Sequence, residues 1–153
     1  MELTAQAEID AAREKVFAAL TDFDMIEEQA KGRGAKVKRT SAEPGAGMAW
    51  DAAFTFREQQ RSAQIMLVTC DPPEKMIFHG VSGGLEVDVT LDLRTLSPAR
   101  TRVDVATVLV PKTLSARLLV QSLKLAKGGL EAGFDKRIGD AAAWLEARCQ
   151  NIS

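Results

Sequence analysis

The sequence predicts an α+β domain in which an antiparallel β-sheet curves around a long C-terminal helix. Three observations point there. Successive segments between residues 48 and 110 alternate apolar and polar side chains, the period of a half-buried strand. The breaks between them are short and built from Gly, Pro and polar residues, so neighbouring strands must reverse direction. From Leu114 to about Arg148 the apolar spacing becomes helical and no strand follows.

Residues Leu3 to Ile9 read as the first strand, with Leu3, Ala5, Ala7 and Ile9 on one side. Asp10 stands where a helix N-cap belongs, and Glu14 falls where an acid supports the helix dipole. Val16, Phe17 and Leu20 make the apolar face of that short helix. Asp22 opens a second helix, about Asp24 to Ala30, which Gly32 and Gly34 end. A short strand over 35–40 follows, and Glu43-Pro44-Gly45-Ala46-Gly47 is a turn by composition.

In the next strand Met48, Trp50, Ala52, Phe54 and Phe56 share a face. A polar hairpin tip over Glu58 to Arg61 leads to a return strand with Ala63, Ile65, Leu67 and Thr69 alternating. Asp71-Pro72-Pro73 stops it, because proline has no ladder donor. Lys75 to His79 is a further strand, and Gly83-Gly84 the turn after it. Leu85, Val87, Val89, Leu91 and Leu93 face one way and Glu86, Asp88, Thr90, Asp92 and Arg94 the other. In the last strand Val103, Val105, Thr107 and Leu109 oppose Arg102 and Asp104. One face is apolar and one ionic, so one face is covered.

Pro111 ends that strand and Thr113 is positioned to cap the terminal helix. Leu119, Leu123, Leu130, Phe134, Ala141 and Leu145 map to one stripe of it, which belongs against the apolar face of the sheet. Gly128-Gly129 marks a kink.

Composition sets the outer bounds. A chain of 153 residues is about one domain, residues 1–153, and buries roughly 68–70% of its unfolded surface. It needs neither disulfide nor metal for stability. Twenty Lys and Arg against 21 Asp and Glu leave none of the basic surplus that binding duplex nucleic acid requires. The cluster Lys31, Arg33, Lys36, Lys38 and Arg39 reads as a solvated loop and edge strand. Met1-Glu2-Leu3-Thr4 lacks the basic and apolar regions of a secretory signal, and no run reaches the roughly 18 apolar residues of a membrane span. Two cysteines, Cys70 and Cys149, without C-x-x-C spacing fit a reducing, cytoplasmic setting.

The order of elements resembles that of the START-like, or SRPBCC, superfamily, in particular its polyketide cyclase/dehydrase and lipid transport group. Local segments carry the likeness. "EIDAAREKVFAALTDFD" resembles the first strand, first helix and Thr21-Asp22-Phe23 start of the second; "CDPPEKMIFHG" resembles the Asp71-Pro72-Pro73 turn. These are structural punctuation, so the resemblance implies the helix-grip fold and brings no catalytic residue with it. It also implies a cavity between helix and sheet. Ser122, Ala126, Gly129 and Gly133 recur at helical steps, a strip of small side chains that leaves such volume unfilled if it faces the sheet.

The expected lining is Trp50, Phe54, Phe56, Ile65, Leu67, Val89, Leu91, Val105, Thr107, Leu119, Leu123, Ala126, Leu130 and Phe134, with Thr107 and the Trp50 N–H as polar handles. The single histidine, His79, has no companion ligands, so neither metal nor cofactor is expected. His79 reads as a strand-end, solvent-facing residue. Asp88, Asp92 and Asp104 fall with Arg94 and Arg102 on the exposed face, as an ion lattice. No phosphate loop, nucleophile elbow or dinucleotide fingerprint is present.

Three functions compete. The first is binding or transport of a small hydrophobic ligand: a lipid, isoprenoid or polyketide-like molecule. A cyclase or dehydratase is the second, with His79 and Glu58 the only acid/base candidates. The third is a protein-interaction module, for which out-of-phase Met66 and Val68 are the hint; its simplest form is a homodimer.

Overall fold

The computed structural model describes residues 1–41, 43 and 45–151, so Pro44 of the expected turn and the end of the chain lie outside the described residues. Alternation of side chains becomes strands β1 (Glu2–Ile9), β2 (Lys36–Ser41), β3 (Ala49–Phe56), β4 (Gln59–Asp71), β5 (Lys75–Ser82), β6 (Leu85–Ser97) and β7 (Arg100–Pro111). They form one seven-stranded sheet in the order β1-β7-β6-β5-β4-β3-β2. Every neighbouring pair is antiparallel. Register shifts at Arg39/Ser41, Leu67/Thr69 and Thr95/Ser97 add local twist to a sheet that already curves. Helices α1 (Arg13–Leu20) and α2 (Phe23–Gly32) fall between β1 and β2; α3 (Leu114–Leu125) and α4 (Lys127–Asn151) follow β7.

Two hairpins have two-residue turns with both residues at positive φ, the twist that matches flanking strands. Gly83 (51°) and Gly84 (81°) make one, as their composition predicts. The other is Arg57 (53°) and Glu58 (64°), so β4 begins at Gln59, and Arg61 belongs to the strand and not to a hairpin tip.

The core gathers Ile9, Val16, Phe17, Leu67, Met76, Leu93, Val103, Val105, Leu145 and Cys149. Each large aliphatic there contributes about 1.5–3 kcal/mol through burial. Its position follows from the helices: α1 and α4 pack on each other, α4 on β1, and α1 on β6 and β7. Toward the other end of the sheet the cover is thinner, with α3 resting on β7 and α2 on β2.

Several local expectations are corrected. The terminal helix is two helices, broken at Ala126 (φ −104°, ψ 22°), two residues before the Gly128-Gly129 pair. The Ala126 N–H bonds back to Leu123 O at 3.1 Å, the tight closing turn of α3. Asp10 does not cap α1; Ala12 holds that position without a side-chain bond, while the Asp10 N–H donates to Glu146 Oε1 at 2.7 Å. Asp22 does precede α2, but its carboxylate is drawn away to Arg148 Nη2 at 2.7 Å. A charged partner wins over a neutral first-turn amide. Thr113 caps α3 as expected, its Oγ1 accepting from Ala116 N at 3.2 Å.

The outer face carries the expected ion lattice, with Lys75–Asp92 at 3.8 Å and Arg94 and Arg102 each at 3.4 Å from Asp104. Within the basic cluster Arg39 is tied to Glu27 and Asp24, and Lys31 to Glu28 at 3.8 Å.

Candidate functional site

Where the core thins, the inner face of the sheet is left hollow. One lobe, about 350 Å³, lies between the sheet and α3. Phe54, Phe56, Ala63, Ile65, Phe78, Val87, Val89, Leu109, Leu119 and Leu123 line it, with Arg61 and Ser82 its polar members. A second lobe, about 340 Å³, lies under α2 and is lined by Leu20, Phe23, Ile26, Ala30, Val37, Trp50, Ile65, Met76, Phe78 and Leu91, with Glu27 its one charged residue. Ile65 and Phe78 border both lobes and form a wall common to the two. Both lobes are partly open to solvent, and a further open hollow lies between α1 and residues 70–73.

Register explains the lining. Phe54, Ile65, Phe78, Val89 and Leu109 have the inward phase of their strands, and Leu67, Phe78 and Val89 lie side by side across β4, β5 and β6. On α2, Phe23, Ile26 and Ala30 recur at helical steps and face the same space. Phe23, Trp50 and Phe78 form a tilted aromatic row, with ring centres 5.1 and 6.3 Å apart.

The second lobe has a polar wall. Trp50 Nε1 donates to Glu27 Oε2 at 2.9 Å, and Arg39 Nε donates to the same oxygen at 2.7 Å. Asp24 takes Arg39 Nη2 at 2.8 Å. Hydrogen bonds donated to Glu27, then to Asp24, hold the pKa of the Arg39 guanidinium above its ordinary value.

The residues expected to line the cavity divide into groups. Phe54, Phe56, Ile65, Val89, Leu119 and Leu123 border the first lobe; Trp50, Ile65 and Leu91 border the second. Leu67 and Val105 are instead buried in the core cluster and border neither lobe. Thr107, opposite Leu3 and Val89, is half-buried and borders neither lobe. Phe134 packs against the core, and half-buried Leu130 borders neither lobe. Ala126 is exposed, because it is the residue at which the helix breaks.

The small-residue strip is likewise corrected. Ala126, Gly129 and Gly133 face out, and a Cβ added at either glycine would meet nothing within 4 Å. Ser122 Oγ is engaged, donating to Leu119 O and accepting from Arg57 Nη1, both at 2.8 Å. None of the four lines either lobe.

Neither acid/base candidate enters the hollow. His79 is not at a strand end; it sits within β5 on the outer face, Nδ1 2.7 Å from Asp88 and Nε2 3.5 Å from Glu86. Glu58 is exposed on its turn. Among the described residues no group of three or more His, Cys, Asp or Glu could hold a metal ion. None of the described helices is long and apolar enough to cross a membrane. Met66 and Val68 are exposed as expected, and Leu114, Leu118 and Leu125 on α3 are more so, Leu125 at 92%.

Arg61 and Glu27 were missed as lining residues. The alternation Arg61, Ala63, Ile65, Leu67 carries the signal for the first, hidden by assigning Arg61 to a hairpin tip. For Glu27 the helical step from Phe23 was the available sign.

No protein-family model matches the chain, and no curated protein matches it in sequence. Its shape does match solved structures. TTHA0849 from Thermus thermophilus is similar at a TM-score of 0.72 and 16% identity, over 100% of this chain and 99% of that one. Norcoclaurine synthase from Thalictrum flavum is similar at 0.69 and 12% identity, over 95% of this chain and 85% of that one. The Zhui aromatase/cyclase from a Streptomyces species is similar at 0.64 and 12% identity, over 90% and 94%. Identities this low speak for architecture only. In the sheet order, the paired helices after β1 and the helices that close over the inner face, the chain has the helix-grip fold that these structures share.

Proposed function

We propose that this chain binds or transports a small hydrophobic molecule, of lipid, isoprenoid or polyketide type, held in the hollow between sheet and helices. The single observation that carries this reading is an unfilled space walled almost wholly by carbon between sheet and helices. A protein interior normally closes to near-crystal density, so open apolar volume of this size invites an apolar occupant. The aromatase/cyclase and the synthase of similar shape bear names of proteins that act on organic substrates, which agrees with that class of occupant.

A cyclase or dehydratase is the second reading. Its weakness is that His79 and Glu58 stand outside the hollow. Glu27 borders it, but one of its oxygens already holds Trp50 and Arg39, which suits an anchor better than a proton carrier. Binding as proposed takes place in the cytoplasm, with no cofactor and no nucleic acid. A homodimer would form through the free edge of β2, and sizing in solution tests it.

The test is direct. Freshly purified protein, extracted into organic solvent and read by mass spectrometry, yields a hydrophobic ligand. A fluorescent fatty acid saturates the emptied protein at about one per chain. Absence of both an extractable ligand and saturable uptake sinks the reading.

A further inference from the structure

The first lobe is apolar except at one corner. Arg61 pairs across the ladder with Phe54, and the alternation of β4 turns it to the inner face beside Ala63 and Ile65. Its guanidinium carbon lies 5.7 Å from the centre of the Phe56 ring. Nη2 reaches Gln59 Oε1 at 3.2 Å. Nε is buried and bonds to nothing. No carboxylate among the described residues comes within 4.0 Å of this cation. Ser82, the other polar residue of the lobe, is already engaged, its hydroxyl donating to Ser62 O at 2.6 Å.

A buried donor without an acceptor costs the desolvation of that group, and a wholly apolar occupant would deepen the cost by excluding water from the rest of the guanidinium. An anionic oxygen would reverse it. Arginine presents its N–H groups as a planar fork that fits a carboxylate in two parallel bonds, and the bond strengthens as the surroundings dry. A second cation stands near: Arg57, on the adjoining turn, spans to Ser122 of α3 at 2.8 Å and holds the hairpin end against that helix.

We infer that the first lobe selects an apolar carboxylic acid, its carboxylate held by the fork of Arg61 and its tail directed along Val89 and Phe78 toward the second lobe. This rests on the hydrophobic-ligand reading above and narrows it to an amphipathic anion.

Titration calorimetry with decanoate, decanol and methyl decanoate tests it on wild type and R61Q. Wild type binds decanoate about tenfold to a hundredfold more tightly than either neutral compound, the range expected of a hydrogen bond to a charged group. R61Q loses that preference and binds decanoate no more tightly than decanol. Equal binding of all three by wild type overturns the role of Arg61 and leaves the hydrophobic-ligand reading standing. Binding of none overturns both. An acid preference that persists in folded R61Q places the anion elsewhere and overturns the inference. Should R61Q not fold, the Arg61 Nε–H resonance of wild-type protein decides. It moves on adding decanoate and stays with methyl decanoate, and a resonance that decanoate leaves unmoved overturns the assignment.

Discussion

The indole of Trp50 and the carboxylate of Glu27 are joined at 2.9 Å across the space between β3 and α2. Trp50 is 6% exposed, so its N–H has little access to water, and Glu27 supplies the acceptor that burial demands. The same oxygen holds Arg39 of β2, so one carboxylate fixes helix, core aromatic and edge strand together. Replacing Glu27 by Leu leaves the indole N–H without its acceptor and the guanidinium with Asp24 alone. The expected loss is about 1–3 kcal/mol of stability in a denaturant titration. Glu27→Gln, which keeps an acceptor oxygen, loses less. An unchanged midpoint in Glu27→Leu would show that the contact holds nothing in place.

Gly84 and Gly83 look alike in the sequence but differ in consequence. A Cβ at Gly84 would lie 2.5 Å from Thr113 Oγ1, at a φ of 81°. At Gly83 it would meet nothing within 4 Å. Gly83→Ala therefore loses only the left-handed backbone preference, about 1–2 kcal/mol. Gly84→Ala adds a clash with the residue that caps α3, so its loss is the larger. Hydrogen exchange over 113–125 speeds up in Gly84→Ala and not in Gly83→Ala; equal effects of the two would refute the contact.

Lobe and core answer differently to a change of size. Val87→Trp adds bulk where the first lobe has room, so fatty-acid uptake falls at least tenfold while the melting temperature holds. Leu67 is 0% exposed in the packed core, and Leu67→Ala opens a void there. Its expected loss is about 2–5 kcal/mol, with uptake by the folded fraction retained. If Val87→Trp unfolds the protein as Leu67→Ala does, the first lobe is not free volume.

Both thiols respond to their surroundings. Burial pushes Cys149 above its ordinary value of 9.0, with Lys15 opposing and Glu146 assisting. Burial, then Asp71, does the same at Cys70. A group whose value is raised on folding binds more protons folded than unfolded, so stability falls as pH rises past the unfolded value. Melting temperatures measured from pH 7 to 10.5 should hold at first and decline above about pH 9. In Cys149→Ala that decline is shallower. An identical slope in the variant would assign the alkaline loss to other groups.

Much of the architecture was legible along the chain. Period-2 alternation in Leu85–Leu93 and the Gly83-Gly84 turn specify local geometry that needs no distant partner, and the structure keeps both. The inward phase of Phe54, Ile65 and Val89 was readable for the same reason: a strand offers a side chain only two faces. What alternation could not decide is which inward residues are covered. Leu67 and Val89 carry the same pattern, yet one is buried in the core and the other borders open space. The break at Ala126 gave no signal at the residue itself, since alanine is the best helix former; the neighbouring glycines weaken the helix, and tertiary packing chooses where it yields. Asp22 shows the limit most plainly. Its position marked a helix start, but a partner 126 positions away along the chain, Arg148, took its carboxylate. Local sequence therefore determined strands, turns and the sense of each face, because those depend on near neighbours. Tertiary structure alone decided the hollow, its two polar corners at Arg61 and Glu27 and the capture of Asp22, because each depends on which distant surfaces meet and which do not.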